Sequence, residues 1–88
     1  MAYEIRFLVE AEREIEKLDK NTVSRIFRKL SWLAENADDI RGEGLRAALA
    51  GHSKIREGDY RIIYKLSPDE KLIIVRTVGH RSEVYKRR

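Results

Sequence analysis

Residues 52–66 read His52-Ser53-Lys54-Ile55-Arg56-Glu57-Gly58-Asp59-Tyr60-Arg61-Ile62-Ile63-Tyr64-Lys65-Leu66, and the fold turns on this stretch. Strand side chains alternate between the two faces of a sheet. His52, Lys54 and Arg56 share one parity, with Ser53 and Ile55 on the other. Tyr60, Ile62, Tyr64 and Leu66 form an apolar parity, opposed by Arg61, Ile63 and Lys65. The pattern predicts strands over His52–Arg56 and Tyr60–Leu66, joined by a tight turn at Glu57-Gly58-Asp59. Gly58 supplies the positive φ that such turns require. The simplest sheet lays Ile55 and the Tyr60 set against the rest of the core. Lys54, Arg56, Arg61 and Lys65 then project from the opposite face.

Downstream, Ser67-Pro68-Asp69-Glu70 is a turn with Pro68 in the favoured second position. Leu72–Val78, rich in Ile and Val, predicts another strand that Gly79-His80 ends, leaving a tail over Arg81–Arg88. Upstream the period changes. Leu8, Ala11, Ile15 and Leu18 recur at helical spacing and predict a short helix over Val9–Leu18. Asp19–Asn21 breaks it with cap-forming residues. Val23, Ile26, Phe27, Leu30, Leu33, Ala34 and Ala37 form a second stripe, predicting a helix over Thr22–Asn36 that packs on the first as a hairpin. Tyr3–Phe7 alternates strand formers and is read as a first strand. Gly42 and Gly44 interrupt the middle of the chain, and Leu45–Ala50 is read as one helical turn. The order is β-α-α-β-β-β: an α+β class fold with an N-terminal strand and a helical hairpin packed on an antiparallel three-strand meander, one domain over residues 1–88.

The composition narrows the setting. A chain of 88 residues supports one domain with a limited core, and 42% apolar content is enough to fold it. Acidic residues crowd the first half (Glu10, Glu12, Glu14, Glu16, Asp19, Glu35, Asp38, Asp39), whereas basic residues lead from His52 onward. The net charge is only +4, but this asymmetry predicts one face that meets a polyanion. With no cysteine there are no disulfides or thiolate metal sites, which suits a reducing compartment. The charged N-terminus has no apolar h-region and no apolar run reaches spanning length, so the expected location is cytoplasmic, with no membrane partner.

The two turns bring strand ends together, so Arg56, Arg61 and the residues around Arg81 should meet at one edge. The expected surface carries His52, Lys54, Arg56, Arg61, His80 and Arg81, with Lys65 on the same face and Tyr85 nearby. Few acids interrupt it, chiefly Glu57, Asp59 and Glu83, whereas a merely solubilising face mixes both signs. Nucleic-acid binding follows as the favoured class. Two histidines and scattered acids offer no metal-ligand spacing, and no cofactor is implied.

The stretch Lys54–Tyr64, with Arg56-Glu57-Gly58-Asp59-Tyr60-Arg61-Ile62-Ile63-Tyr64 at its heart, resembles the central hairpin of the RelE/ParE toxin superfamily. Val78-Gly79-His80-Arg81 followed by Val84-Tyr85 resembles that family's C-terminal ending. The resemblance covers essentially the whole chain and points to the RelE-like branch. It implies the toxin of a type II toxin–antitoxin system, an mRNA interferase that cuts messenger RNA in the ribosomal A site without a metal. In that chemistry the ribose 2′-hydroxyl attacks the adjacent phosphate and leaves a 2′,3′-cyclic phosphate. Carried over by motif, Lys54 activates the 2′-hydroxyl or stabilises its developing charge, Arg61 holds the phosphorane, Arg81 stabilises or protonates the leaving 5′-oxygen, and Tyr85 stacks on a base. The implied partners are a cognate antitoxin, the ribosome with its mRNA, and operator DNA reached through the antitoxin complex.

His52 departs from the pattern, since relatives often carry Lys there. It is either a general base suited to neutral pH or a strand cap. His80 adjoins Arg81, but strand order sets it far from His52, which argues against an acid–base pair. Trp32 lies off its helix's apolar stripe and is read as packing under the 38–50 loop, or else as an anchor for a protein partner. Glu12, Glu14 and Glu16 are read as solubilising. Two other readings share the scaffold: a ParE-like gyrase poison, which typically lacks this basic and aromatic set, and an inactive binding module.

Overall fold

The structure is a computed structural model that describes residues 2–40 and 52–80. Its elements are β1 (Glu4–Phe7), α1 (Val9–Glu16), α2 (Lys20–Ile40), β2 (Ser53–Glu57), β3 (Tyr60–Ser67) and β4 (Leu72–His80). The expected order is observed. The helical turn expected at Leu45–Ala50 and the tail from Arg81 lie outside the described residues.

The four strands form one sheet in the order β1-β4-β3-β2. β2, β3 and β4 are an antiparallel meander, whereas β1 runs parallel to β4, from Glu4 beside Leu72 to Phe7 beside Val75. The sheet is therefore mixed. Parallel neighbours need a long connection, and everything from α1 to β3 supplies it. The β3–β4 register shifts between Ile63, opposite Thr77, and Tyr64, opposite Val75, which leaves Arg76 as an extra residue. That extra residue lets Val75 and Val78, three apart in sequence, both reach the core; each is about 1% exposed or less.

The core occupies the helix-side face. Ile62, Tyr64, Ile73, Val75 and Val78 of the sheet meet Ala11 of α1 and Ile26, Leu30, Leu33, Ala34 and Ala37 of α2. Most of the predicted stripe of α2 is buried. Two residues depart from this: Val23 is half-buried, and Phe27 sits at the stripe's margin, exposed, with its ring edge-on to Phe7 at 5.8 Å. α2 begins at Lys20, two residues earlier than the apolar pattern requires, because Asp19 caps it. The Thr22 hydroxyl donates to Asp19 Oδ1 at 2.5 Å and the Thr22 backbone N–H to Oδ2 at 3.4 Å. This bond from the Thr22 hydroxyl, chiefly, holds the Asp19 carboxyl below its ordinary value.

Glu14 has a structural role that composition did not suggest. β1 ends at Phe7, so past the Leu8 N–H, which donates to the Val75 carbonyl at 3.0 Å, that edge of β4 has no strand beside it among the described residues. Glu14 fills the gap from α1: its Oε1 accepts the Val78 backbone N–H at 2.7 Å. An unsatisfied edge N–H is costly, and a carboxylate acceptor is stronger than a neutral one.

Two outcomes are expected. Glu14→Ala lowers unfolding free energy by about 1–2 kcal/mol in urea titration, through the lost charge-assisted bond. A depressed native carboxyl stabilises the fold above the ordinary carboxylate value, and that contribution is lost as pH falls through the lowered one. The stability gap between the native sequence and Asp19→Asn, which still caps, should therefore shrink on acidification through that range.

Candidate functional site

The hairpin register builds the site. Two residues, Gly58 and Asp59, join β2 to β3, and Gly58 takes φ +59°, as its sequence position predicts. This turn sets Arg56 directly opposite Arg61 and Lys54 opposite Ile63, both on the face turned away from the helices. β4 completes the rows: Gly79 lies opposite Arg61 and Thr77 opposite Ile63. Directly opposed side chains begin about 5 Å apart and diagonal neighbours about 7–8 Å. Lys54 is diagonal to Arg61, so the long side chains of Lys54, Arg56 and Arg61 can converge on one phosphate-sized anion. Gly79 presents no side chain in front of Arg61.

Arg61 is the distinctive member. It is only 8% exposed, on a face where Lys54 and Arg56 are open to solvent. Its Nη1 donates to the carbonyls of Gly58 at 3.4 Å and Tyr60 at 3.3 Å, so the guanidinium folds back over the turn. Among the described residues no carboxylate pairs with it. A packed cation without an anion is unfavourable alone and strongly favours an anionic ligand. An Arg fork matches two phosphate oxygens at once.

The remaining expected residues are distributed as follows. Lys65, opposite Ile74, shares the cationic face but lies four residues from Arg61, about 13 Å along the strand. It is too distant to share one phosphate-sized anion with Arg61. His52 precedes β2, half-buried, on the parity of Lys54. His80 corrects an expectation. It pairs with Tyr60, its ring edge-on to the Tyr60 ring at 5.7 Å, so it belongs to the helix-side face and not to the surface of Arg61. Adjacent residues on a strand face opposite ways, and Gly79 takes the site-side position. Arg81 and Tyr85 lie outside the described residues. Thr77 and Gly79 are the members that sequence reading missed, because the bulge at Arg76 hides the parity of β4.

The chain matches the model of the ParE toxin of type II toxin–antitoxin systems over residues 5–85. It belongs to the RelE/ParE toxin superfamily. It is 28% identical to toxin RelG of Mycobacterium tuberculosis, over 99% of this chain and 100% of that one. It is 31% identical to a RelE-like toxin protein of Escherichia coli, over 97% and 92%. Among solved structures it is similar to the RelBE2 toxin–antitoxin complex of M. tuberculosis (TM-score 0.81, 26% identity, 94% of this chain and 95% of that one). It is also similar to the isolated E. coli RelE toxin (TM-score 0.77, 29% identity, 97% and 93%). The protein is thus a type II toxin–antitoxin toxin with the RelE-like α+β fold.

Within this family fold the Gly58 turn sets the register that pairs Arg56 with Arg61. A Cβ at Gly58 would meet nothing within 4 Å, so substitution acts through the backbone alone. Gly58→Ala should cost about 1–2 kcal/mol of stability, the usual expense of left-handed φ for a residue with a side chain. Differential scanning calorimetry reads it as a lowered Tm.

Proposed function

We propose that this toxin is a ribosome-dependent endoribonuclease that cuts messenger RNA in the A site. The observation that carries the reading is the nearly buried Arg61, without a carboxylate partner among the described residues, opposite Arg56 and diagonal to Lys54 on one sheet face. The similarity to solved RelE toxins at 26–29% identity supports it.

In this reading the 2′-hydroxyl gives up its proton to water as its oxygen forms a bond to phosphorus, the bond to the 5′-oxygen breaks, and that oxygen takes a proton from water, giving a 2′,3′-cyclic phosphate and a free 5′-hydroxyl. Lys54 stabilises the charge developing on the 2′-oxygen. Arg61 and Arg56 hold the phosphorane oxygens, whose negative charge grows in the transition state. Arg81 stabilises the leaving 5′-oxygen; an Arg is too weak an acid to be its efficient proton donor. Tyr85 stacks on a base, worth ~1–3 kcal/mol in comparable sites. His52 and Lys65 contact flanking phosphates.

A cognate antitoxin neutralises the toxin, as the toxin–antitoxin complexes among its structural relatives suggest. Leu8, Val9 and Phe27, large apolar side chains left exposed at the start of α1 and beside it, suit such a protein partner. The second reading is a gyrase poison, favoured by the ParE description of the matching family model.

The test is to add the toxin to programmed ribosomes with an empty A site and map the cut. Cleavage ending in a 2′,3′-cyclic phosphate is expected. Arg61→Ala and Arg81→Ala should each slow it by roughly 10²–10³-fold, as losing a transition-state charge donor does. Loss of gyrase supercoiling with intact mRNA would establish the second reading instead.

A further inference from the structure

A second cationic concavity lies on the other side of the sheet edge. It sits between α2 and the outer strand β2, lined by Arg25, Arg28, Lys29, Trp32 and Glu57. The helical members are spaced three, four and seven apart, so they occupy one face of α2. Among the described residues none of Arg25, Arg28 and Lys29 makes an ion pair. Trp32, the only tryptophan in the chain, is 46% exposed, with Lys29 Nζ 5.0 Å from its ring centroid.

We propose that this groove is a second RNA subsite, holding a single-stranded segment that flanks the phosphate bound at Arg61. This inference rests on the ribonuclease reading. A flat exposed ring beside guanidinium groups that have no ion pair among the described residues supplies the parts single-stranded RNA uses, a stacking surface and phosphate donors. Glu57 repels carboxylates and phosphates alike, but it can accept a hydrogen bond from the exocyclic amino group of a base stacked on Trp32. The path is short. Arg56 and Glu57 are consecutive, about 3.8 Å apart at Cα, and face opposite sides of β2. Because β2 is the outer strand, RNA leaving the Arg56–Arg61 row need only turn round that edge to enter the groove.

Trp32 reports on the groove directly by its fluorescence. We would titrate the full-length toxin with a short 2′-O-methyl oligoribonucleotide, which cannot be cut, across a range of salt. Saturable quenching is expected, persisting in Arg61→Ala. For Arg25→Gln/Arg28→Gln the slope of log affinity against log salt should be shallower by roughly 1.4, two phosphate contacts at about 0.7 each on a single strand. Arg25→Lys/Arg28→Lys should keep most of the slope. Both positions are exposed on a helix surface, where Gln and Lys are good helix formers. If the toxin cuts mRNA on ribosomes but RNA leaves Trp32 unquenched, the groove proposal fails while the ribonuclease reading stands. Quenching by poly-glutamate and not by RNA would likewise overturn it, assigning the groove to an acidic protein segment. Salt-sensitive quenching without any mRNA cleavage would leave the groove an RNA-binding surface but overturn its assignment as a substrate subsite, together with the ribonuclease reading.

Discussion

The register of one hairpin governs the site. Gly58 and Asp59 close β2 onto β3 in the fewest residues a hairpin allows, which fixes Arg56 opposite Arg61. A slip of one residue would send Arg61 into the apolar layer and Ile62 onto the open face, exchanging the whole set on both sides of the sheet. The burial of Ile62, Tyr64 and Val78 in the core shared with the helices therefore holds the cations in place. Core packing and site geometry are two faces of a single pairing.

Arg61 shows how the fold prepares a charge for use. Its side chain is nearly buried, and its guanidinium donates to the carbonyls of Gly58 and Tyr60, which hold it without neutralising it. Lys54 and Arg56 lie beside it, both exposed to solvent. In the proposed reaction, one nearly buried cation beside two exposed ones suits an anion whose charge increases as the reaction proceeds.

Much of this was legible in the sequence because the informative patterns are local. Two-residue alternation and the Gly58 turn define the hairpin, and the Ile26–Ala37 stripe defines α2. The parallel pairing of β1 with β4 was not legible: nothing within four residues of strand specifies a distant partner. Glu14 reads as one more surface acid until β1 is seen to stop at Phe7, leaving the Val78 N–H for it to satisfy. His80 was grouped with Arg61 through its neighbour Arg81, although alternation sends it to the opposite face with Tyr60. The bulge at Arg76 concealed Thr77 and Gly79 in the same way, since one extra residue inverts the parity read along β4.

The most direct measurement is a structure of the toxin on a ribosome whose A-site mRNA carries 2′-O-methyl riboses. The account predicts the Arg61 guanidinium about 2.7–3.2 Å from the oxygens of the scissile phosphate. Lys54 and Arg56 should contact the same group. A scissile phosphate lying away from this sheet face, with Arg61 still folded over the Gly58 turn, would contradict it.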